Sequence, residues 1–198
     1  MVEATERGDS RARIVAAALR EFGRLGFSGA RTDRIAKHAQ VNKQLLYYYF
    51  GSKRGLYRSV VERAAGQLLA RSSTPPESDS TPGAARQRLR GLLEAIAAEA
   101  AAVRLVLRAA SEGGEAAGVA LGALGGIRAA AQRAVSAGQG IGLFRDDVDP
   151  GFAAEHVVAL LVGYVSLLGM LPPRADEEPH GPLWAEQVGD LLLRSLTW

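Results

Sequence analysis

The chain has 198 residues, about 1.3 times the length of a typical domain, so it holds one domain or two small ones and is no large multidomain enzyme. Hydrophobic residues make up 47% and charged residues 23%, which excludes wholesale disorder and a fibrous repeat. The absence of cysteine removes disulfides, thiolate nucleophiles and cysteine-ligated zinc. Only three histidines are present, and we expect neither a metal site nor another cofactor.

The net charge of +3 is unevenly distributed along the chain. Residues 1–63 carry 13 Lys and Arg against 6 Asp and Glu, whereas residues 64–198 carry 11 against 15. All three lysines and four of the five tyrosines lie in the first segment. A basic segment joined to a mildly acidic body predicts a module that binds a polyanion.

Neither secretion nor membrane insertion is expected. The first nine residues lack the apolar stretch of a signal peptide. The longest apolar run covers residues 157–171, and its 15 residues fall short of the roughly 20 that cross a bilayer. We therefore predict a cytoplasmic protein without a membrane partner, in which this run forms a helix buried against protein.

Glycine and proline punctuation, with apolar residues at helical spacing between the breaks, predicts an all-α fold. The predicted helices cover residues 10–25, 32–39, 43–50, 53–71, 84–111 with a break near Ala102, 115–137, 150–171 and 183–197. The first four helices are expected to have the N-caps Ser10, Thr32, Asn42 and Ser52. Residues 72–82, rich in Ser, Thr and Pro, predict a connector between two halves.

The second and third predicted helices are short, flank a tight turn and lie in the basic segment. This is the helix-turn-helix pattern, in which the second helix of the pair enters the DNA major groove. On the third helix, Leu46 and Phe50 share a face and are expected to pack inward, while Gln44 and Tyr48 lie opposite.

Side chains on and beside the third helix suit contacts with DNA. Gln44 can pair with adenine, Lys43 can donate to guanine or a phosphate, and Leu45 can either pack inward or touch a thymine methyl group. The candidates for phosphate contact are Tyr47, Tyr49 and Lys53. Both of these tyrosines can instead serve mainly in packing.

The run from residue 32 to residue 56 resembles the signature of TetR-family transcriptional regulators. The matching positions are Thr32, Ile35, Ala36, Ala39, Val41, Asn42, Leu46, Tyr47, Tyr49, Phe50, Ser52, Lys53 and Leu56. The resemblance implies a DNA-binding domain over residues 8–68, with its helix-turn-helix motif at 31–50. It also implies a fourth helix that leads into a C-terminal helical ligand-binding and dimerisation domain over 69–198.

The resemblance also implies roles for individual residues. It places Thr32, Tyr47, Tyr49 and Lys53 at phosphate-contacting positions, and Lys43, Gln44 and Tyr48 at base-reading positions. Arg31, Asn42 and Leu45 complete the predicted set of DNA-binding residues. Gln40 departs from the family, which usually has glycine there, so the turn must accept a non-glycine residue with positive φ.

By family habit, the chain is expected to be a homodimeric repressor that a small, partly apolar ligand releases from a palindromic operator. The predicted dimer helices are 151–171 and 183–197, and the candidates for ligand contact are Arg104, Arg108, His156, Tyr164 and Trp184. One alternative is an effector-independent or architectural DNA-binding protein whose C-terminal helices only dimerise. A second alternative is an enzyme, but the sequence has no phosphate loop and no HExxH motif, and we predict no catalytic residue.

Overall fold

The structure is a computed structural model, and it describes residues 2–72 and 99–170, together with the single residues 87, 91 and 194. Every element in the two continuous ranges is an α-helix, which confirms the predicted all-α fold. The helices are α1 (Val2–Gly29), α2 (Thr32–Ala39), α3 (Lys43–Phe50), α4 (Lys53–Ser72), α5 (Ala100–Glu112), α6 (Glu115–Gly140) and α7 (Pro150–Met170). The predicted connector beyond Ser72 and the predicted helix over 183–197 lie outside the described residues.

The chain divides into two compact units, and neither is continuous in sequence. The first unit comprises Met1–Gln67 and Ala101–Leu121. The second comprises Leu68–Ala100 and Gly122–Trp198. Helix α5 therefore belongs to the same compact unit as α1, α2 and α3, although it comes much later in the chain.

Helix α1 forms the centre of the first unit and packs against α2 and α3. Its apolar face is fully buried, as expected from the spacing of Ile14, Ala18 and Phe22. The helix begins at Val2, so the prediction that Ser10 is its N-cap is wrong; Ser10 lies inside the helix and accepts a hydrogen bond from Arg13 (3.2 Å). The predicted interruption at Gly26 is present, because this residue has φ 69° and ψ −178°.

Helix α2 begins at Thr32, one residue earlier than a cap at Thr32 implies. Its N-cap is Arg31, whose side chain makes no capping bond, and Thr32 is the first helical residue. The prediction that Thr32 is the N-cap is therefore wrong. The buried carboxylate of Glu21 accepts from the Arg31 backbone N–H (3.5 Å), the bond that a carboxylate at N3 makes in a capping box.

The turn between α2 and α3 follows the prediction. Gln40 has φ 55° and ψ 45°, which confirms the expected positive φ at this non-glycine position. Its backbone N–H donates to the Lys37 carbonyl (3.2 Å). Asn42 then caps α3 as predicted, since its Oδ1 accepts from the Leu45 N–H at 2.7 Å. These local bonds fix where α3 begins.

Helices α4 and α5 contribute the remaining apolar surface of the first unit. The predicted Ser52 cap is present, because its hydroxyl accepts from the Gly55 N–H (3.0 Å). Leu56 and Val60 of α4 and Leu105 of α5 are buried. Helix α5 starts at Ala100, so the break in the predicted 84–111 helix comes slightly before Ala102.

The second unit contains a small apolar cluster of Val135, Leu143, Phe144 and Ala153. The Gln139 side chain holds the segment before α7, since its Nε2 donates to the carbonyls of Arg145 (2.9 Å) and Val148 (2.7 Å). The Asp149 carboxylate then accepts from the Phe152 N–H (2.8 Å) at the start of α7. Among the residues that the structure describes, no helix combines the length and apolar character needed to cross a membrane.

Candidate nucleic-acid interface

Helix α3 is held in place by its inner face. Leu46 is completely buried, as predicted, and lies among the apolar residues of the first unit. Phe50 is only partly buried, with the Arg11 guanidinium 5.7 Å from its ring centroid, so the expectation that it packs inward holds in part. A short helix with one fully buried anchor and a capped N-terminus presents its outer side chains in a defined orientation.

The outer face of α3 carries the predicted base-reading side chains. Gln44 is exposed, and Tyr48 has 75% of its surface in solvent, next to the ring of Tyr49 at 5.4 Å. A large aromatic side chain with this exposure adds little to the packing of its own chain. Leu45 is partly buried, which fits both of the roles that the sequence left open. The outer face therefore combines an amide and a phenol able to meet the edges of bases.

Tyr47 joins α3 to the start of α2. Its hydroxyl lies 3.3 Å from the Thr32 hydroxyl, so the two share a hydrogen bond. Thr32 is buried, whereas Tyr47 is exposed over a third of its surface. Through this bond, Thr32 fixes the position of the phenol that is predicted to meet a phosphate.

Lys43 forms an ion pair that the sequence reasoning missed. Its Nζ lies 2.8 Å from the Asp33 carboxylate, and the hydrogen bond to this carboxylate raises the pKa of Lys43. Asp33, an acidic residue in the first turn of α2, is not among the predicted site residues. The contact lies across the turn between α2 and α3, so the ammonium stands beside the N-terminus of the recognition helix.

Lys53, at the start of α4, rests on the turn that follows the kink in α1. Its Nζ donates to the Ser28 carbonyl (3.4 Å) and lies 4.9 Å from the centroid of the Phe27 ring. Neither Phe27 nor Ser28 was predicted to belong to the site. Nothing in the local sequence pattern pairs them with Lys53, because they lie some 25 residues away.

All ten predicted DNA-binding residues lie on α2 and α3 or directly beside them, at the start of α4 or at the cap of α2. They are Arg31, Thr32, Asn42, Lys43, Gln44, Leu45, Tyr47, Tyr48, Tyr49 and Lys53. Their side chains supply cations, phenols and an amide within a single compact unit. Such a set can neutralise phosphates and read base edges, which are the two tasks of a DNA-binding surface.

The predicted ligand-contacting residues are divided between the two compact units. Arg104 and Arg108 lie on α5 in the first unit, whereas His156 lies on α7 in the second and is exposed. The His156 Nδ1 lies 2.9 Å from the Phe152 carbonyl, so this ring nitrogen has a partner within its own helix. Tyr164 lies on α7, and Trp184 lies outside the described residues.

Metal binding is not supported by the described residues. No group of three or more His, Asp or Glu among them is arranged to hold a metal ion, and the chain has no cysteine.

Comparison with known proteins agrees with this geometry. Residues 14–60 match the family model of bacterial regulatory proteins of the tetR family. The HTH-type transcriptional repressor SCO4008 of Streptomyces coelicolor is 46% identical over 74 residues, which cover 37% of this chain and 38% of that repressor. The HTH-type transcriptional repressor NicS of Pseudomonas putida is 28% identical over 98% of this chain and 96% of its own length.

The fold is also found among solved structures. The crystal structure of the TetR family transcriptional regulator PfmR from Thermus thermophilus superposes with a TM-score of 0.73 at 20% identity. The match covers 92% of this chain and 97% of that one, so the likeness extends well beyond the residues that match the family model.

An all-helical chain whose first unit exposes a capped recognition helix beside clustered cations belongs to the class of helix-turn-helix transcriptional regulators. Residues 14–60 match the tetR family of bacterial regulatory proteins, and the relatives and solved structures together indicate a TetR-family transcriptional regulator. These matches confirm the prediction of a DNA-binding regulator as opposed to an enzyme, since the proteins similar to this one are named as transcriptional regulators.

Proposed function

We propose that the chain is a homodimeric repressor that places α3 in the major groove of a palindromic operator and leaves it when a small, partly apolar ligand binds. The observation that carries the DNA-binding part is the outer face of α3. Gln44 and the largely exposed Tyr48 point away from a helix that Leu46 anchors. The names of the relatives SCO4008 and NicS, both repressors, support the direction of regulation.

The site residues then divide into two groups. Gln44, Lys43 and Tyr48 read bases, with Leu45 against a thymine methyl group where one is present. The second group contacts phosphates or positions the residues that do, and it consists of Arg31, Thr32, Asn42, Tyr47, Tyr49 and Lys53. In this group Thr32 and Asn42 act by orientation, because the Thr32 hydroxyl shares a hydrogen bond with Tyr47 and Oδ1 of Asn42 caps α3. When Lys43 contacts DNA, its ammonium must either leave the Asp33 carboxylate or bind the carboxylate and the DNA at the same time.

The proposed dimer interface is the exposed stripe of α7. Phe152, His156 and Leu160 follow one another at intervals of four residues and are all exposed, with 58% of Phe152 and 43% of Leu160 in solvent. Large apolar side chains in such a row are typical of a surface that another protein covers. A second copy of this chain would present a second α3, and two-fold symmetry then requires a palindromic site.

Ligand control is proposed to act through differential affinity. The ligand binds more tightly to the dimer when its two recognition helices are spaced differently from the operator half-sites. It therefore shifts the dimer toward that spacing and away from the DNA. Arg104, Arg108, His156, Tyr164 and Trp184 remain the candidate contacts. The alanine- and leucine-rich sequence of this half of the chain favours a ligand that is itself partly apolar.

Selection of bound duplexes from random DNA by the purified protein tests the proposal. We expect one palindromic sequence to be recovered, and we expect its affinity to fall steeply as salt concentration rises. Gln44→Ala should change which sequence is recovered. Lys53→Ala should weaken binding to all duplexes and reduce the slope of log affinity against log salt by about 0.9, the value for one phosphate contact.

Arg63→Ala is the matched control for the loss of one positive charge. Arg63 is exposed on α4 and does not belong to the site, so this variant should keep the salt slope of the wild-type protein. Failure to recover any sequence would contradict sequence-specific binding. A slope that Lys53→Ala leaves unchanged would remove Lys53 from the phosphate contacts.

A further inference from the structure

The last residue of α5, Glu112, accepts one hydrogen bond from α1 and one from α4. The Glu112 carboxylate accepts from the Tyr57 hydroxyl on α4 at 3.1 Å and from the Phe27 backbone N–H at 3.4 Å. Both donors bond the same oxygen, Oε2, although they lie 55 and 85 residues before it in the sequence. None of the roles assigned above uses this carboxylate.

The kink in α1 makes room for the Glu112 carboxylate. A Cβ atom built on Gly26 would clash with the other carboxylate oxygen, Oε1, and would lie 3.0 Å from Nη1 of Arg108. The positive φ of Gly26 also disfavours any side chain there. At Gly23 a Cβ would lie 3.4 Å from the Ala101 carbonyl, so α5 runs close to α1 there as well.

The same turn carries the proposed phosphate-contacting lysine. The Phe27 ring packs against Tyr57 with centroids 5.2 Å apart, and its face lies beneath the Lys53 ammonium. The carbonyl that accepts from Lys53 belongs to the next residue, Ser28. The segment 26–28 is therefore held by Glu112 on one side and supports Lys53 on the other.

We infer that Glu112 is a positioning residue for DNA binding: by holding the 26–28 turn and Tyr57, it fixes the support on which Lys53 rests. The inference depends on the proposed function, because it assigns Lys53 to a phosphate. It goes beyond that function by placing one determinant of DNA affinity on α5, outside the helix-turn-helix motif. A carboxylate increases affinity for a polyanion here because it holds the turn that supports a cation.

A double-mutant cycle between Glu112 and Lys53 tests the inference, with a duplex recovered by selection on the wild-type protein as the probe. We expect Glu112→Ala to weaken binding by about threefold to tenfold and to lower the salt slope by up to about 0.9, as the loss of one phosphate contact does. In a Lys53→Ala background the same substitution should have little further effect on affinity, because the two residues act in series. Glu112→Gln should restore most of the affinity, since its amide oxygen can accept both hydrogen bonds.

Glu115→Ala is the control for a negative charge removed near the end of α5. Glu115 is exposed at the start of α6 and pairs at 4.0 Å with Arg58, so its loss should leave the salt slope unchanged. Circular dichroism of each variant checks that it is folded. If Glu112→Ala does not fold, Tyr57→Phe replaces it in the cycle, since it removes one of the two hydrogen bonds and keeps the buried ring.

Two results would overturn the inference. One is a Glu112→Ala protein that binds the duplex as the wild type does. The other is a loss of affinity of the same size with and without Lys53, which would assign Glu112 to general stability. Failure of the proposed function is distinguishable from both, because in that case the wild-type protein itself recovers no duplex.

Discussion

The ring of Tyr57 packs among aromatic side chains and its hydroxyl donates to a carboxylate, and both surroundings raise the pKa of the phenol. Burial beside Phe22 and Phe27 is the larger cause, and the charge and hydrogen bond of Glu112 add to it. The unfolded chain ionises this phenol near its ordinary pKa of 10.0, whereas the folded chain keeps it protonated to higher pH. The stability that depends on Tyr57 is therefore complete below this pH and is lost as the pH rises above it.

We predict that Tyr57→Phe reduces the loss of stability with rising pH in the alkaline range. The free energy of unfolding would be measured by urea titration at neutral pH and at two or three values above about pH 10, for the wild-type and variant proteins. The measurement at neutral pH gives the change in the free energy of unfolding that the substitution causes independently of pH. Identical alkaline slopes for the two proteins would contradict the raised pKa.

Several contacts of the site lie beyond the reach of sequence reasoning at the scale of single residues. The sequence identified the side chains on the outer face of α3, because their spacing on a helix separates them from Leu46. It could not pair Glu21 with the Arg31 N–H, or Glu112 with Phe27, since those partners meet only when separate helices pack. The same reason explains why Thr32 was assigned a capping role, when its hydroxyl is used by Tyr47.

At the scale of the elements, the N-cap of α3 has a measurable role. The Asn42 side chain supplies an acceptor to the Leu45 N–H at 2.7 Å, and α3 has only eight residues. We predict that Asn42→Ala lowers the free energy of unfolding by about 1 kcal/mol and also weakens DNA binding, because the first turn of the recognition helix loses its cap. Urea unfolding and binding to a selected duplex would measure the two effects.

Asn42→Ser is the matched control for this cap. Serine retains a side-chain acceptor at the N-cap, so this variant should keep most of the stability that alanine loses. Equal stability of the serine and alanine variants would show that the cap contributes nothing beyond its backbone conformation.

Helix boundaries were predictable where local chemistry sets them. The limits of α2 and α3 agree with the sequence prediction because a left-handed residue, Gln40, and a capping residue, Asn42, define the turn between them. Helix α1 was predicted too short, since the capping preference of serine at position 10 carries less weight than continuation of the helix from Val2. The C-terminal end of α6 was likewise placed too early, because helical glycines weaken the signal.

At the scale of the whole molecule, the proposed dimer can be tested on the exposed stripe of α7. We predict that Phe152→Asp combined with Leu160→Asp turns the dimer into a monomer, because two carboxylates would be buried against apolar surface. Light scattering after size exclusion would report the molecular mass. Operator affinity should fall in parallel, since a monomer holds only one half-site.

Leu121→Asp is the corresponding control, because Leu121 is a large apolar side chain exposed on α6 and absent from the stripe. It should leave the molecular mass unchanged. A double variant that still has the mass of a dimer would place the interface elsewhere.

The discontinuity of the first unit affects how this regulator can be recombined with others. Genetic exchange or engineering that joins the first 67 residues to a foreign effector domain would leave behind 101–121, the segment that completes the unit. Such a chimera would keep the motif, but it would lose the partner of Tyr57 and the carboxylate that lies over Gly26. A transplant of DNA specificity into another scaffold should therefore either carry α5 with it or restrict itself to replacing the outer residues of α3.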